Sequence, residues 1–181
     1  MPVLDVLCVC THNRTRSVLM GGLLHRQHLL RGLGLAVRTA GFEQPGLPPT
    51  AETVRRLDRF GIDASGHRSR RLDDDDIDRA GLVLTAERRH VVEIAGRRPA
   101  AFTRTFTLPE AVDRGTAHGG RDGEELATWI SALDEGRPRA SAYLDATVGE
   151  IEDPTGRALE DWDRTVAEVE RLVDALCGLL W

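Results

Sequence analysis

One stretch near the start of the chain combines a nucleophilic residue with permanently charged ones. It reads Cys10-Thr11-His12-Asn13-Arg14-Thr15-Arg16-Ser17, which is a C-x5-R-S pattern. A cysteine thiolate is a strong nucleophile, and a guanidinium can hold two oxygens of a phosphate through a pair of hydrogen bonds. The residue types and their spacing therefore indicate nucleophilic attack on a bound phosphate group, with Cys10 as the nucleophile and Arg16 as the phosphate clamp.

The segments on either side of this pattern suit that chemistry. Residues 3–9 form an apolar run interrupted only by Asp5, which is typical of a buried parallel strand. Residues 17–31 carry apolar side chains at helical spacing, and Gly32 suits the end of a helix. A loop between a strand and a helix N-terminus can direct its backbone N–H groups at an anion. We therefore expect residues 11–16 to bind the phosphate.

A proton donor for the leaving group is the second requirement of this chemistry. Asp153 precedes Pro154 in a short loop ahead of the long apolar-striped segment 159–180. An Asp-Pro pair alone indicates only a turn. In a chain that also carries the cysteine pattern, Asp153 is predicted to be the general acid.

The rest of the chain alternates between strand and helix patterns. Further strands are predicted at 35–39, 80–85 and 102–108, and helices at 50–60, 86–95, 124–133 and 159–180. The segment GTAHGGRDG at 115–123 is predicted to be a surface loop, and the acidic run at 73–76 a solvated helix start rather than a metal site. Alternation of this kind favours a four-stranded parallel sheet with helices on both faces, the α/β class.

Composition excludes several classes of protein. The 181 residues, 19.9 kDa, suit one domain spanning 1–181. A net charge of -5 and the lack of a basic stretch with aromatics argue against nucleic acid as a partner. The sequence has no apolar run of about 18 residues, so no membrane span is predicted. The three cysteines, Cys8, Cys10 and Cys177, have no metal-type spacing. We expect a reduced cytoplasmic protein that needs no cofactor or metal.

Four ordered segments resemble the low-molecular-weight protein tyrosine phosphatases. They are VLCVCTHNRTRS at 6–17, RTAG at 38–41, GIDASGHRSRRL at 61–72 and IEDPTG at 151–156. The resemblance implies a cysteine-dependent phosphomonoester hydrolase that forms a phosphocysteine intermediate. Its substrate would be a phosphorylated protein or a small phosphorylated metabolite.

The resemblance also implies roles for single residues. Cys10 matches the nucleophile, Arg16 the phosphate-binding arginine, and Asp153 the acid that later activates the hydrolytic water. Ser17 matches a serine whose hydroxyl assists the thiolate.

A supporting set is implied as well. Asn13 matches an asparagine that holds the strained loop, and Thr39 and His67 stand where the family has partners of that asparagine.

Some positions depart from the family pattern. Thr15 replaces a second loop cysteine, which removes a means of protecting the nucleophile by a neighbouring thiol. Arg14 replaces an aliphatic residue or threonine that touches the leaving group, and Thr155 replaces an aromatic residue that covers the phosphotyrosine ring. These changes leave the natural substrate open. We expect weak activity on isolated phosphotyrosine and a preference for acidic surroundings of the phosphate.

Two other functions remain open from the sequence. One is an arsenate reductase on the same fold that uses a low-molecular-weight thiol, and the other is a catalytically inactive phosphate-binding module.

Outside the motif, Cys8 and Cys177 are interpreted as core residues, His90 and His118 as surface residues, and Phe42 as a possible pocket wall.

Overall fold

The computed structural model describes residues 3–181, and its centre is a four-stranded parallel sheet. The strands are β1 (Leu4–Cys10), β2 (Leu35–Gly41), β3 (Leu82–Thr85) and β4 (Thr105–Thr107). Their order is β2-β1-β3-β4, so that β1 pairs with both β2 and β3. The predicted four-stranded parallel sheet is confirmed.

Seven α-helices surround the sheet in the described residues. They are α1 (Arg16–Arg31), α2 (Ala51–Asp58), α3 (Asp74–Arg79), α4 (Arg88–Arg97), α5 (Leu108–His118), α6 (Leu126–Asp134) and α7 (Leu159–Leu180). Two 3-10 helices occupy Pro99–Arg104 and Ala140–Asp145. None of the helices within 3–181 is long and apolar enough to cross a membrane.

The alternation of side chains along β1 divides the core into two layers. Val6 and Cys8 belong to the cluster that contains the apolar faces of α1, α5 and α7. Leu7 and Val9 belong to a second cluster, together with Ile77 of α3 and Ile94 of α4. Both faces of the sheet are therefore covered by helices, and the strand carries a nearly continuous apolar sequence for that reason.

The carboxyl ends of β1, β2 and β3 lie at one edge of the sheet. β1 leads there into the cysteine loop, β2 into residues 42–50, and β3 into residues 86–87. In open parallel sheets this edge is where ligands bind, because the loops after neighbouring strands converge there.

Helix α5 was missing from the sequence-based prediction, and the loop predicted at 115–123 begins inside it. Thr107 caps the helix by accepting a hydrogen bond from the backbone N–H of Glu110, and Pro109 lies in the first turn. Gly115 suggested a loop, but it lies inside the helix, where close packing favours glycine because a Cβ there would lie 2.9–3.1 Å from side-chain atoms of Leu179 and Trp129.

The acidic run at 73–76 begins α3 as predicted, but its predicted solvation is wrong for Asp76. That side chain is fully buried and forms ion pairs with Arg38, Arg70 and Arg79. Burial alone would raise the pKa of Asp76, but hydrogen bonds and charge from Arg70 and Arg38 hold it below its usual range. No cluster of residues suited to a metal ion occurs in the described part of the chain.

Candidate active site

The loop between β1 and α1 is compact and held by close backbone contacts. Asn13 has a φ of 53°, in the left-handed region that asparagine tolerates better than most residues. Gly41 at the end of β2 packs directly against the loop, because a Cβ there would lie 2.7 Å from the backbone N of Asn13 and 2.8 Å from the carbonyl O of Thr11. A side chain at position 41 would therefore displace the loop.

A chain of hydrogen bonds connects the loop to the thiol of Cys10. Asn13 Nδ2 donates to Ser17 Oγ over 2.9 Å, and Ser17 Oγ lies 3.1 Å from Cys10 Sγ. Because Ser17 Oγ accepts from Asn13, its own proton is available to donate to the sulfur. Cys10 is 2% exposed, so this hydroxyl is a fixed donor in a site with little water.

Asn13 is itself anchored to the segment after α2. Its Oδ1 accepts a hydrogen bond from the backbone N–H of Arg70 over 2.8 Å, and its carbonyl O lies 2.8 Å from His67 Nε2. The structure therefore brings His67 to Asn13. It does not bring Thr39 there, because the Thr39 side chain faces α1, where its Cγ2 would lie 2.5 Å from a Cβ at position 21.

The Arg16 guanidinium is buried and held from three directions. Nη1 donates to Glu87 Oε1 and to the carbonyl O of Ile151 (3.2 Å), and Nη2 donates to Asp153 Oδ2 over 2.8 Å. Nε has no hydrogen-bond partner within residues 3–181, although the side chain is only 3% exposed. An unpaired buried donor is costly, so the site is suited to an acceptor such as a phosphate oxygen at this nitrogen.

Asp153 reaches the cysteine loop although it is distant in sequence. The backbone N–H of Ile151 bonds to the carbonyl O of Ala86 just after β3, which fixes the stem of the Asp153 loop. Asp153 Oδ1 accepts from the backbone N–H of Thr155, and Thr155 Oγ1 lies 3.4 Å from Thr15 Oγ1. Two contacts, Asp153 with Arg16 and Thr155 with Thr15, therefore join the two loops.

A pocket opens above Cys10 between these segments. Residues from three parts of the chain line it: Cys10, Arg14 and Arg16 from the loop, Thr50 ahead of α2, and Asp153 and Thr155. His12 and Thr15 also contribute to its wall, and His12 is exposed. The pocket thus brings together one thiol, one buried guanidinium and one carboxylate.

Arg14 lies across the wall of this pocket. Its Nε donates to the carbonyl O of Pro48 over 2.7 Å. The carbonyl O of Arg14 accepts from Thr50 N (3.2 Å) and Thr53 Oγ1 (3.0 Å) at the start of α2. The backbone carbonyl and the side-chain Nε of Arg14 are therefore both bonded to the segment that precedes and begins α2.

Two residues that the sequence analysis did not assign to the site lie beside it. Glu87 follows β3 and binds both Arg16 and Arg89. Burial alone would raise the pKa of Glu87, but hydrogen bonds from Arg89 and Arg16 lower it to about 2. Glu87 is therefore a fixed negative charge next to the arginine of the loop.

His90 is the other such residue, and its predicted surface position is wrong. Its side chain is 1% exposed, accepts the backbone N–H of Glu87 at Nδ1 and, through Nε2, contacts Thr11 Oγ1 over 3.2 Å. Phe42 stacks on its ring with centroids 5.3 Å apart, so Phe42 supports His90 rather than lining the pocket. Burial is the largest cause that lowers the pKa of His90, to about 4, so the ring is neutral at pH 7.

The two remaining cysteines are core residues, as predicted. Cys8 and Cys177 are fully buried and free. Burial raises the pKa of the Cys8 thiol beyond its usual range and that of Cys177 to about 11. Neither is placed to exchange with Cys10 at the pocket.

Comparison with known proteins gives consistent results. Residues 5–118 match the family model described as low molecular weight phosphotyrosine protein phosphatase. A protein-arginine-phosphatase of Geobacillus stearothermophilus is 29% identical over 176 residues, which cover 97% of this chain and 95% of that protein. A probable low molecular weight protein-tyrosine-phosphatase, EpsP, of Ralstonia solanacearum is 34% identical over 106 residues, 58% of this chain and 70% of that protein.

A solved structure extends the similarity to the whole fold. The low molecular weight protein tyrosine phosphatase of T. tengcongensis superposes with a TM-score of 0.74 at 28% identity. The match covers 98% of this chain and 99% of the other. The similarity therefore includes the segment around Asp153, which lies beyond the residues that the family model matches.

Proposed function

Because the chain belongs to the low molecular weight phosphotyrosine protein phosphatase family, we propose that it hydrolyses a phosphate group on a protein side chain with Cys10, Arg16 and Asp153 as catalytic residues. The observation that carries this proposal is the pocket that brings the three side chains together. Their chemistries are complementary, since the thiolate attacks, the guanidinium binds the anion and the carboxyl group moves the proton.

Substrate binding places the phosphate at the loop. The unpaired Nε of Arg16 and the loop backbone N–H groups supply donors for its oxygens. The phosphate competes with Asp153 for Nη2 of the same guanidinium, while Glu87 keeps Nη1 in place. Binding thus frees the Asp153 carboxyl group to turn toward the leaving group.

The first chemical step transfers the phosphoryl group to sulfur. The Cys10 thiolate, stabilised by the Ser17 hydroxyl, forms the S–P bond as the bond from phosphorus to the leaving-group oxygen breaks. Asp153, which takes up a proton from solvent once the phosphate has displaced it from Arg16, donates that proton to the leaving-group oxygen. Arg16 and the loop N–H groups stabilise the charge that spreads over the three other oxygens.

The second step returns the enzyme to its starting state. Asp153, now a carboxylate, accepts a proton from water, and the resulting oxygen attacks phosphorus. The S–P bond breaks, inorganic phosphate leaves, and Cys10 is again a thiolate. Asp153 ends the cycle protonated, so protons and electron pairs balance.

The relatives suggest two side chains as substrates. The family description and the Ralstonia relative name phosphotyrosine, which we take as the first candidate. The Geobacillus relative, which matches almost the whole chain, is a protein-arginine-phosphatase, so phosphoarginine is the second candidate. Thr155 fits either substrate, because it neither covers an aromatic ring nor blocks an extended side chain.

The two other functions considered from the sequence receive less support. An arsenate reductase that relays a disulfide within the chain needs a second reactive thiol, and Cys8 and Cys177 are both buried. A reductase that relies on a small external thiol still competes with the proposal. An inactive binding module has no need of the Asp153–Arg16 contact.

The three unpaired cysteines also support a reducing, cytoplasmic environment.

The test is a substrate panel with the purified protein. The panel contains peptides of one sequence that carry phosphotyrosine, phosphoarginine or phosphoserine, and their kcat/KM values distinguish the candidate substrates. A separate assay with arsenate and a thiol tests for reductase activity. We expect turnover of at least one phosphopeptide and a near-complete loss in Cys10→Ser and in Arg16→Ala. Retention of activity within about tenfold in either variant, a barrier change of only ~1.4 kcal/mol, would contradict the roles proposed.

A further inference from the structure

The pocket contains two arginines in different electrostatic situations. Arg16 lies at the floor, 3% exposed, and its charge is balanced by Glu87 and Asp153. Arg14 is half-buried on the wall and forms no ion pair with any residue in 3–181. The positive charge of Arg14 is therefore not neutralised by a neighbouring carboxylate and is available to a group that enters the pocket beside the phosphate.

Neighbouring residues hold the backbone of Arg14 and the Nε of its side chain. Its Nε donates a hydrogen bond to the carbonyl O of Pro48. Its own carbonyl O accepts hydrogen bonds from Thr50 N and Thr53 Oγ1. Nη1 and Nη2 have no hydrogen-bond partner in the described residues. The side chain therefore has two donors of a planar guanidinium free for an acceptor, and the hydrogen bond at Nε restricts its motion, which lowers the entropic cost of binding.

We propose that Arg14 forms a second anion subsite, which binds a carboxylate next to the phosphorylated residue of a protein substrate. The phosphate itself occupies the floor, where Cys10 and Arg16 lie, so the wall position is left for a separate group on the substrate. A carboxylate matches the two Nη donors in geometry and charge. This inference rests on the proposed function, because it assumes that the pocket binds a phosphorylated side chain.

The same charge selects against a substrate that carries a cationic group beside its phosphate. Phosphoarginine carries a guanidinium next to its phosphate, and Arg14 would repel that group. A phosphotyrosine flanked by acidic residues brings negative charge to the same place. Arg14 thus favours the first substrate candidate over the second, and favours acidic flanking sequences within it.

The experiment compares paired phosphotyrosine peptides within each enzyme variant. One peptide has Glu on both sides of the phosphotyrosine and the other has Gln, which has the same shape without the charge. The ratio of their kcat/KM values cancels any change in the basal rate. We expect a ratio of about two to five in the wild type, the scale of a partly exposed charge pair, and a fall in that ratio at high salt.

Three variants locate the effect. Arg14→Gln removes the charge and should bring the ratio to about one. Arg14→Lys keeps the charge and should retain part of the ratio. Arg139→Gln removes the same charge from an exposed arginine outside the pocket and should keep the wild-type ratio. Equal ratios in wild type and Arg14→Gln would overturn the proposal.

A second assay, with small phosphate esters, tests whether the carboxylate that Arg14 binds belongs to a protein segment or to a small molecule. Phenyl phosphates with a meta carboxylate or a meta amide test the same preference without a peptide. A preference seen only with these esters would overturn the inference that the substrate is an acidic protein segment. Hydrolysis of the esters together with no hydrolysis of any phosphopeptide would contradict the proposed function itself. Hydrolysis of both peptides at equal rates would contradict only the subsite.

Discussion

Asp153 Oδ2 accepts a hydrogen bond from Arg16 Nη2 over 2.8 Å, across a separation of 137 residues. This ion pair joins the loop after β1 to the loop before α7, the two parts of the chain that the proposed mechanism requires. Glu87 and the carbonyl O of Ile151 hold the other side of the same guanidinium. A single arginine therefore aligns the phosphate site with the proposed acid.

Replacing Asp153 by Asn should affect substrates according to their leaving groups. A nitrophenolate leaves without a proton, whereas an alkoxide requires one. We expect Asp153→Asn to lower kcat/KM for an alkyl phosphate by about 10²–10⁴ and for nitrophenyl phosphate by much less. Equal losses with both substrates would show that Asp153 is not the acid.

Glu87 should matter through the orientation of Arg16. Glu87→Gln removes the charge that pairs with Nη1 and leaves a buried guanidinium only partly compensated. We expect kcat/KM to fall about tenfold or more, a barrier change of at least ~1.4 kcal/mol. The matched control is Glu135→Gln, which should leave the rate unchanged, because Glu135 is exposed and its side chain forms no hydrogen bond or ion pair in the described residues. A Glu87→Gln enzyme as active as this control would contradict the orienting role.

Ser17 should act on the reactivity of Cys10. Ser17→Ala removes the hydroxyl 3.1 Å from Sγ, and a hydrogen bond to a charged group is worth about 1.5–3 kcal/mol. We expect a roughly ten- to hundredfold slower pre-steady-state burst of nitrophenol and slower labelling by iodoacetamide at pH 7. Cys10 lines the pocket, whereas Cys8 and Cys177 are fully buried outside it, so labelling of the folded protein reports Cys10. Unchanged labelling in Ser17→Ala would show that the hydroxyl does not stabilise the thiolate.

His90 should make stability depend on pH. Burial lowers its pKa to about 4 in the folded protein, compared with 6.5 for an ordinary histidine. Between these values the unfolded chain binds the extra proton, so the free energy of unfolding rises with pH over this window and falls on acidification. The full difference is on the order of 3 kcal/mol. Urea denaturation from pH 7 to 4.5 should show a weaker pH dependence in His90→Gln, and the same slope in both proteins would contradict the assignment.

Local sequence was sufficient to predict the cysteine loop. A strand, a polar C-x5-R-S segment and a helix are consecutive in the chain, so their patterns specify the loop without long-range information. The prediction for α7 was confirmed for the same reason, since its apolar stripe is long and regular.

Glu87 and His90 could not be identified in this way. They reach the loop because β3 pairs with β1, and the pairing of two strands separated by more than 70 residues leaves no local pattern. Asp76 is a similar case, because its burial depends on arginines from β2 and from the segment before α3. One signal was present, namely that Glu87 follows a predicted strand, at the edge where ligands bind.

The central claim is that phosphate is transferred to Cys10, and acid quenching tests it directly. In Asp153→Asn the loss of the base should slow hydrolysis of the phosphocysteine intermediate. The phosphorylated enzyme should therefore accumulate during turnover of nitrophenyl phosphate. Peptide mass spectrometry of the quenched protein should then place one phosphoryl group on Cys10, and none on the same peptide from Cys10→Ala carrying Asp153→Asn. A quenched enzyme that turns over substrate but carries no phosphoryl group on Cys10, or carries it on another residue, would contradict the account.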